Sequence, residues 1–169
     1  QGRVIEKKTG ESVPNIGVLI QPNSTKKHKN PYCPIETITG QDGRFMFKGL
    51  PSGKNRLKVF PTGKETAEAV SKFVDVDIQI NKAVKDITVK VEKGQRIEAI
   101  VREETTKKPI NNIRVSAYGK NANGAAWTNA KGIACIILPA GEYDVYASDP
   151  KYSYYQSNEP VIVQKEQDT

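Results

Sequence analysis

Histidine is almost missing from this chain. One is present in 169 residues, His28, set among Lys26, Lys27 and Lys29, where a solvated side chain is the expected role. Imidazole-built metal sites, and serine or cysteine nucleophiles activated by histidine, need more than that. Cysteine is scarce too: Cys33 and Cys135 lie far apart, and neither has a second cysteine at metal-ligand spacing, so no metal site and no cofactor are expected. A disulfide between them stays open, with two free thiols the favoured reading. No apolar run approaches the roughly 18 residues of a membrane-spanning helix. No glycine-rich phosphate cradle is present. The first residues, Gln1-Gly2-Arg3-Val4, lack signal-peptide character and read as strand, so a mature or excised segment is expected. Asp75 and Asp77 sit two apart, which places them on one outward strand face rather than as an acid–base pair. No enzyme is expected.

Positive charge is in excess. The formal net charge is +7; residues 1–84 hold 14 basic and 8 acidic side chains, which puts +6 there and +1 in the remainder. The densest run, Lys26, Lys27 and Lys29, reads first as a solvated loop and second as a patch for an anionic partner such as an acidic glycan or a cell-surface polymer. It has no interleaved aromatics, so nucleic acid is not expected.

What the chain does have is one piece of supersecondary grammar written twice. Thr39 to Gly53 contains Asp42-Gly43, then Phe45 and Phe47 on one face with Arg44, Met46 and Lys48 on the other, then Pro51-Ser52-Gly53. Thr128 to Gly141 repeats it with Lys131-Gly132, Ala134 and Ile136, and Pro139-Ala140-Gly141. Glycine at positive φ suits both turns of each copy, so each is expected to close a hairpin. Val4 to Val101 and Val18 to Val115 are 97 apart, Gly43 to Gly132 is 89, and Pro51 to Pro139 is 88. The first copy therefore carries an insertion, placed at 21–38, whose prolines exclude a central strand. The expected division is 1–92 and 93–169.

Thr62 to Lys72 is expected to form about two helical turns. Val74, Val76 and Ile78 alternate with polar residues as a half-buried strand, and Val84 to Val91 supplies another. The second copy has Val161 to Val163 as the counterpart of Val74 to Val76 but none for that following strand. Three readings are open: the strand is lacking, Val84 to Val91 serves both sheets, or the chain comes from a longer protein, which is favoured. Short strands between glycine and proline turns indicate an all-β chain of paired sandwiches.

In the first copy, Gly2, Val4, Thr9, Gly10, Val13, Val18, Thr39, Asp42, Gly43, Phe45, Phe47, Leu50, Pro51 and Gly53 carry a recognisable pattern. Val101, Pro109, Val115, Thr128, Gly132, Ile136, Leu138, Pro139, Gly141 and Tyr143 carry it more loosely, with departures at Lys131 and Ala134. The pattern resembles the carboxypeptidase regulatory-like domain. That resemblance implies two tandem Greek-key β-sandwiches of the prealbumin-like type, in a secreted, periplasmic or cell-surface protein, often bacterial, beside other domains. Related hydrolases and dioxygenases depend on several histidines. The related B-type repeats of bacterial adhesins form a Lys–Asn bond with a glutamate neighbour; Arg56 to Phe60 and Asp144 to Ala147 contain no glutamate, so no such bond is expected.

Candidate binding residues are aromatic. Trp127 precedes the Thr128 turn, and Tyr152, Tyr154 and Tyr155 follow Pro150 in an expected loop. Such rings can stack on a sugar or grip a peptide, although plugging the end of a small core is the favoured reading. Ile133, Cys135 and Ile137 lie opposite the core-facing Ala134 and Ile136, which makes their strand apolar on both faces. They are expected to pack against the other copy or a neighbouring domain. The functional expectation is a non-catalytic spacer or protein-binding module, with carbohydrate binding as the alternative.

Overall fold

A computed structural model describes residues 1–22 and 34–164. Lys26, Lys27, Lys29, His28 and Cys33 lie outside the described residues. The chain is all-β and divides into two compact units, Gln1–Lys93 and Gly94–Thr169. Each unit is a β-sandwich of two sheets.

The first unit contains β1 (Gly2–Glu6), β2 (Gly17–Pro22), β3 (Ile35–Ile38), β4 (Arg44–Phe45), β5 (Gly53–Phe60), β6 (Ala69–Ser71), β7 (Val74–Ile78) and β8 (Ile87–Lys93). One sheet has the order β4-β1-β8-β6, the other β3-β2-β5-β7. Val4, Phe45, Val89 and Val91 from the first sheet meet Val18, Ile20, Leu57 and Val59 from the second in one core. Alternation makes this possible, because each strand sends every second side chain inward.

The second unit contains β9 (Gln95–Ile100), β10 (Arg114–Tyr118), β11 (Asn123–Trp127), β12 (Ile133–Leu138), β13 (Gly141–Asp149), β14 (Tyr152–Gln156) and β15 (Val161–Val163). Its larger sheet runs β11-β10-β13-β14, with β15 also on β13, and β12 pairs with β9 opposite. Val115, Ala117, Ala134, Ile136, Leu138 and Tyr143 form its core.

The repeat extends to single hydrogen bonds. Thr39 Oγ1 accepts from the Ile16 N–H at 3.0 Å and donates to the Val13 carbonyl at 2.9 Å. Thr128 Oγ1 does the same with Ile113 and Ile110, both at 2.8 Å. Asn15 and Asn112 occupy positive φ, 53° and 61°, at corresponding positions. Val4 N–H donates to Gly43 and Val101 N–H to Gly132, both at 2.8 Å.

Several expectations are corrected. Gly43 and Gly132 do take positive φ, 72° and 74°, but neither turn closes a hairpin. The chain passes from β3 on one sheet to β4 on the other, and β12 likewise lies on the sheet opposite β11. Turn chemistry sets the local reversal and not which sheet receives the next strand. Gly53 has φ 119°, whereas Gly141 is not at positive φ. Thr62 to Lys72 is no two-turn helix. A single 3-10 turn, Lys64–Thr66, gives way to β6, because Ala69 to Ser71 pairs with β8 and Ser71 Oγ accepts from the Val59 N–H at 3.1 Å. The stretch expected as loop 21–38 includes the end of β2 and all of β3. The strand expected from Val84 begins at Ile87 and lies between β1 and β6, so it does not serve the second unit's sheets. Tyr152 to Gln156 is strand rather than loop.

Candidate functional site

The larger sheet of the second unit carries an aromatic outer face. Along β10, Val115 and Ala117 turn into the core, so Arg114, Ser116 and Tyr118 turn outward. Register then places Trp127 opposite Arg114, Tyr146 opposite Ser116 and Asp144 opposite Tyr118. The Tyr118 and Tyr146 rings are 5.6 Å apart, edge to face, and Tyr146 and Tyr154 are 5.7 Å apart. Gln156 Nε2 donates to the Tyr146 hydroxyl at 3.3 Å. Desolvation raises the Tyr146 phenol above its ordinary range, and the Asp144 carboxylate adds to the effect.

The four aromatics singled out from sequence do not plug the core. Trp127 is 59% exposed, Tyr152 48%, Tyr154 63% and Tyr155 57%. Nor do they form one site. Tyr154 joins Tyr146 on the outer face, Tyr155 stands opposite Ala147, and Tyr152 opposite Asp149. Trp127 lies on β11, separated from β13 by β10, without a ring contact to the tyrosines among the described residues. Sequence reading missed Tyr118 and Tyr146. Their signal was strand parity: each falls on the face opposite the core-facing Ala117, Val145 and Ala147.

On the smaller sheet, Ala134, Ile136 and Leu138 of β12 are buried while Ile133, Cys135 and Ile137 are half-buried on the other face. Cys135 is a free thiol opposite Glu98, and Arg96 Nη2 meets Glu98 Oε1 at 3.0 Å beside it. The stripe is thus apolar with a charged margin. In the first unit, Arg56 Nε meets Asp75 Oδ1 at 3.0 Å and its guanidinium lies 5.2 Å from the Phe73 ring centre, so Asp75 is one half of an ion pair. Among the described residues, no group of three or more His, Cys, Asp and Glu side chains could hold a metal ion. Among those same described residues, no helix is long and apolar enough to cross a membrane.

No protein-family model matches the chain, and no curated protein matches it. Among solved structures, it is similar to the Bacillus anthracis TIE protein, at 19% identity and a TM-score of 0.41, over 97% of this chain and 31% of that one. It is similar to the minor pilin of Streptococcus agalactiae at 16% identity and a TM-score of 0.36, over 96% of this chain and 82% of that one. A streptococcal ancillary pilin is similar at 15% identity and a TM-score of 0.35, over 98% of this chain and 58% of that one. The chain thus spans about a third of the first of these proteins.

Proposed function

We propose that the chain is a non-catalytic structural and interaction module, a tandem pair of carboxypeptidase regulatory-like sandwiches within a larger extracytoplasmic protein. The observation that carries this reading is the division of labour between the two copies. Buried threonines, positive-φ asparagines and turn glycines recur bond for bond, whereas the outward faces differ: ion-paired in the first unit, tyrosine-lined in the second. A scaffold kept while its surfaces diverge suits a spacer that meets neighbours. Ile133, Cys135 and Ile137 are then a contact strip for a neighbouring domain of the same polypeptide.

The second reading is carbohydrate binding, favoured by the adjacent Tyr118, Tyr146 and Tyr154 rings. Titration of the 169-residue chain with a polysaccharide panel, followed by tyrosine and Trp127 fluorescence, separates the two. The spacer reading expects no saturable response. Saturable binding abolished by Tyr118→Ala and Tyr154→Ala would replace it with the carbohydrate reading.

A further inference from the structure

The two units differ on one edge. In the first, β1 has β4 on one side and β8 on the other, running parallel, and β8 buries Val89 and Val91 in the core. In the second, β9 pairs with β12 as β1 does with β4: Ile100↔Ile133 stands at the register of Arg3↔Arg44. The other edge of β9 has no strand among the described residues. A groove of about 930 Å³ opens there. Its rim is residues 99–105, the counterparts of residues 2–8, most of which β8 covers in the first unit, and its floor includes Val115, Val145 and Ala147.

We propose that this groove is a strand-binding site. It takes one extended segment, parallel to β9, with β-branched apolar side chains at alternate positions, and that segment comes from the same polypeptide after β15, as β8 comes after β7. Spacing supports the source. β7 pairs Ile78 with Gly53 and β15 pairs Val163 with Gly141, the corresponding glycine. β8 starts nine residues after Ile78, so its counterpart would start beyond Thr169.

Charge decides the occupant's composition. Lys7 Nζ meets Glu92 Oε2 of β8 at 2.9 Å, and the counterpart of Lys7 is Glu104. The occupant therefore carries Lys or Arg where β8 carries Glu92. A second copy's β8 would set Glu92 against Glu104, and that strand is already flanked by β1 and β6. One further difference sets where pairing starts. A Cβ on Gly2 would lie 2.3 Å from the Ile87 carbonyl, and the counterpart of Gly2 is Ala99, so the occupant pairs from Ile100 onward.

The test uses the 169-residue chain and two synthetic heptapeptides. One is Ile-Thr-Val-Lys-Val-Lys-Lys, which is β8 with lysine in place of Glu92; the other is β8 itself. The lysine peptide is expected to slow exchange of the Ile100, Arg102 and Glu104 amides, which alternate with the already bonded Val101 and Glu103, by at least about tenfold at saturation. It should bind about two- to fivefold more tightly than the β8 peptide, the range of an exposed ion pair. Glu104→Lys, an exposed change, should reverse that order. Fusing the lysine segment after Thr169 through a flexible linker should give the same protection and abolish peptide binding. Absence of protection by either peptide overturns the site, and protection that rises with protein concentration alone assigns it to a second copy instead. A fused segment that leaves these amides unprotected while the free peptide protects them overturns the source in the same polypeptide.

Discussion

Thr39 is 2% exposed and Thr128 3%, and each hydroxyl ties together two backbone groups that no strand pairing reaches. Replacement by valine keeps the shape and removes both bonds, leaving a buried N–H and a part-buried carbonyl without that partner. The expected cost is about 2–4 kcal/mol at either site, against under about 1.5 kcal/mol for serine. Urea unfolding followed through amide signals of the affected unit measures both. Tyr143 works similarly: its hydroxyl donates to the Pro139 carbonyl at 2.8 Å, and burial raises the phenol above 10.0. A raised acid keeps its proton in the folded state, so its contribution is full below about pH 10 and is lost as pH rises through the folded value. Tyr143→Phe should cost about 1 kcal/mol at neutral pH, and the difference from the parent chain should shrink in alkali. A difference that grows above pH 10 would contradict the assignment.

At the level of elements, two glycines at nearly the same φ should respond differently. Gly10, φ 76°, has open space around a would-be Cβ, and its counterpart in the second unit is Lys107 at φ 57°. Gly43, φ 72°, would place a Cβ 2.8 Å from the Val4 carbonyl in the passage between sheets. Gly10→Ala should therefore cost about 1 kcal/mol and Gly43→Ala about 3 kcal/mol or more, read as shifts in the unfolding midpoint. The same contrast explains what sequence could reveal. The positions of Gly43 and Gly132, the inward Val4, Phe45 and Ile136, and the offset between copies were legible because they follow from local sterics and parity. The destination of β4 and β12 was not, since a turn residue encodes direction change and leaves sheet choice to the core. β6 was hidden for a related reason. Ala69 and Val70 suit a short helix until the edge of β8 offers backbone partners. The tyrosine face was half legible: Tyr154 stood in a visible cluster, while Tyr118 and Tyr146 met it only through strand register.

For the molecule as a whole, the unevenly placed +7 charge is the property a partner meets first. If Lys26, Lys27 and Lys29 hold an anionic polymer, replacing all three with alanine lowers the charge to +4 and should weaken binding to a polyanion such as dextran sulfate well beyond the effect of removing three dispersed lysines. Binding at low and moderate salt decides it, because screening over about 8–10 Å removes diffuse attraction first. Equal losses from clustered and dispersed triple variants would show that only net charge matters.

The parallel pairing of β1 with β8 has a kinetic side. Lys7 and Glu92 are separated by 85 positions, so the first unit joins its beginning to its end. During synthesis at about 5–20 residues per second, the ribosome delivers the opening strand several seconds before its partner. For that interval the nascent first unit leaves the β8-facing edge of β1 without its partner, and closing it over so long a loop is slow. Translation rate through β8, and any chaperone that shields exposed strand edges, should therefore govern how much of this protein reaches its native form.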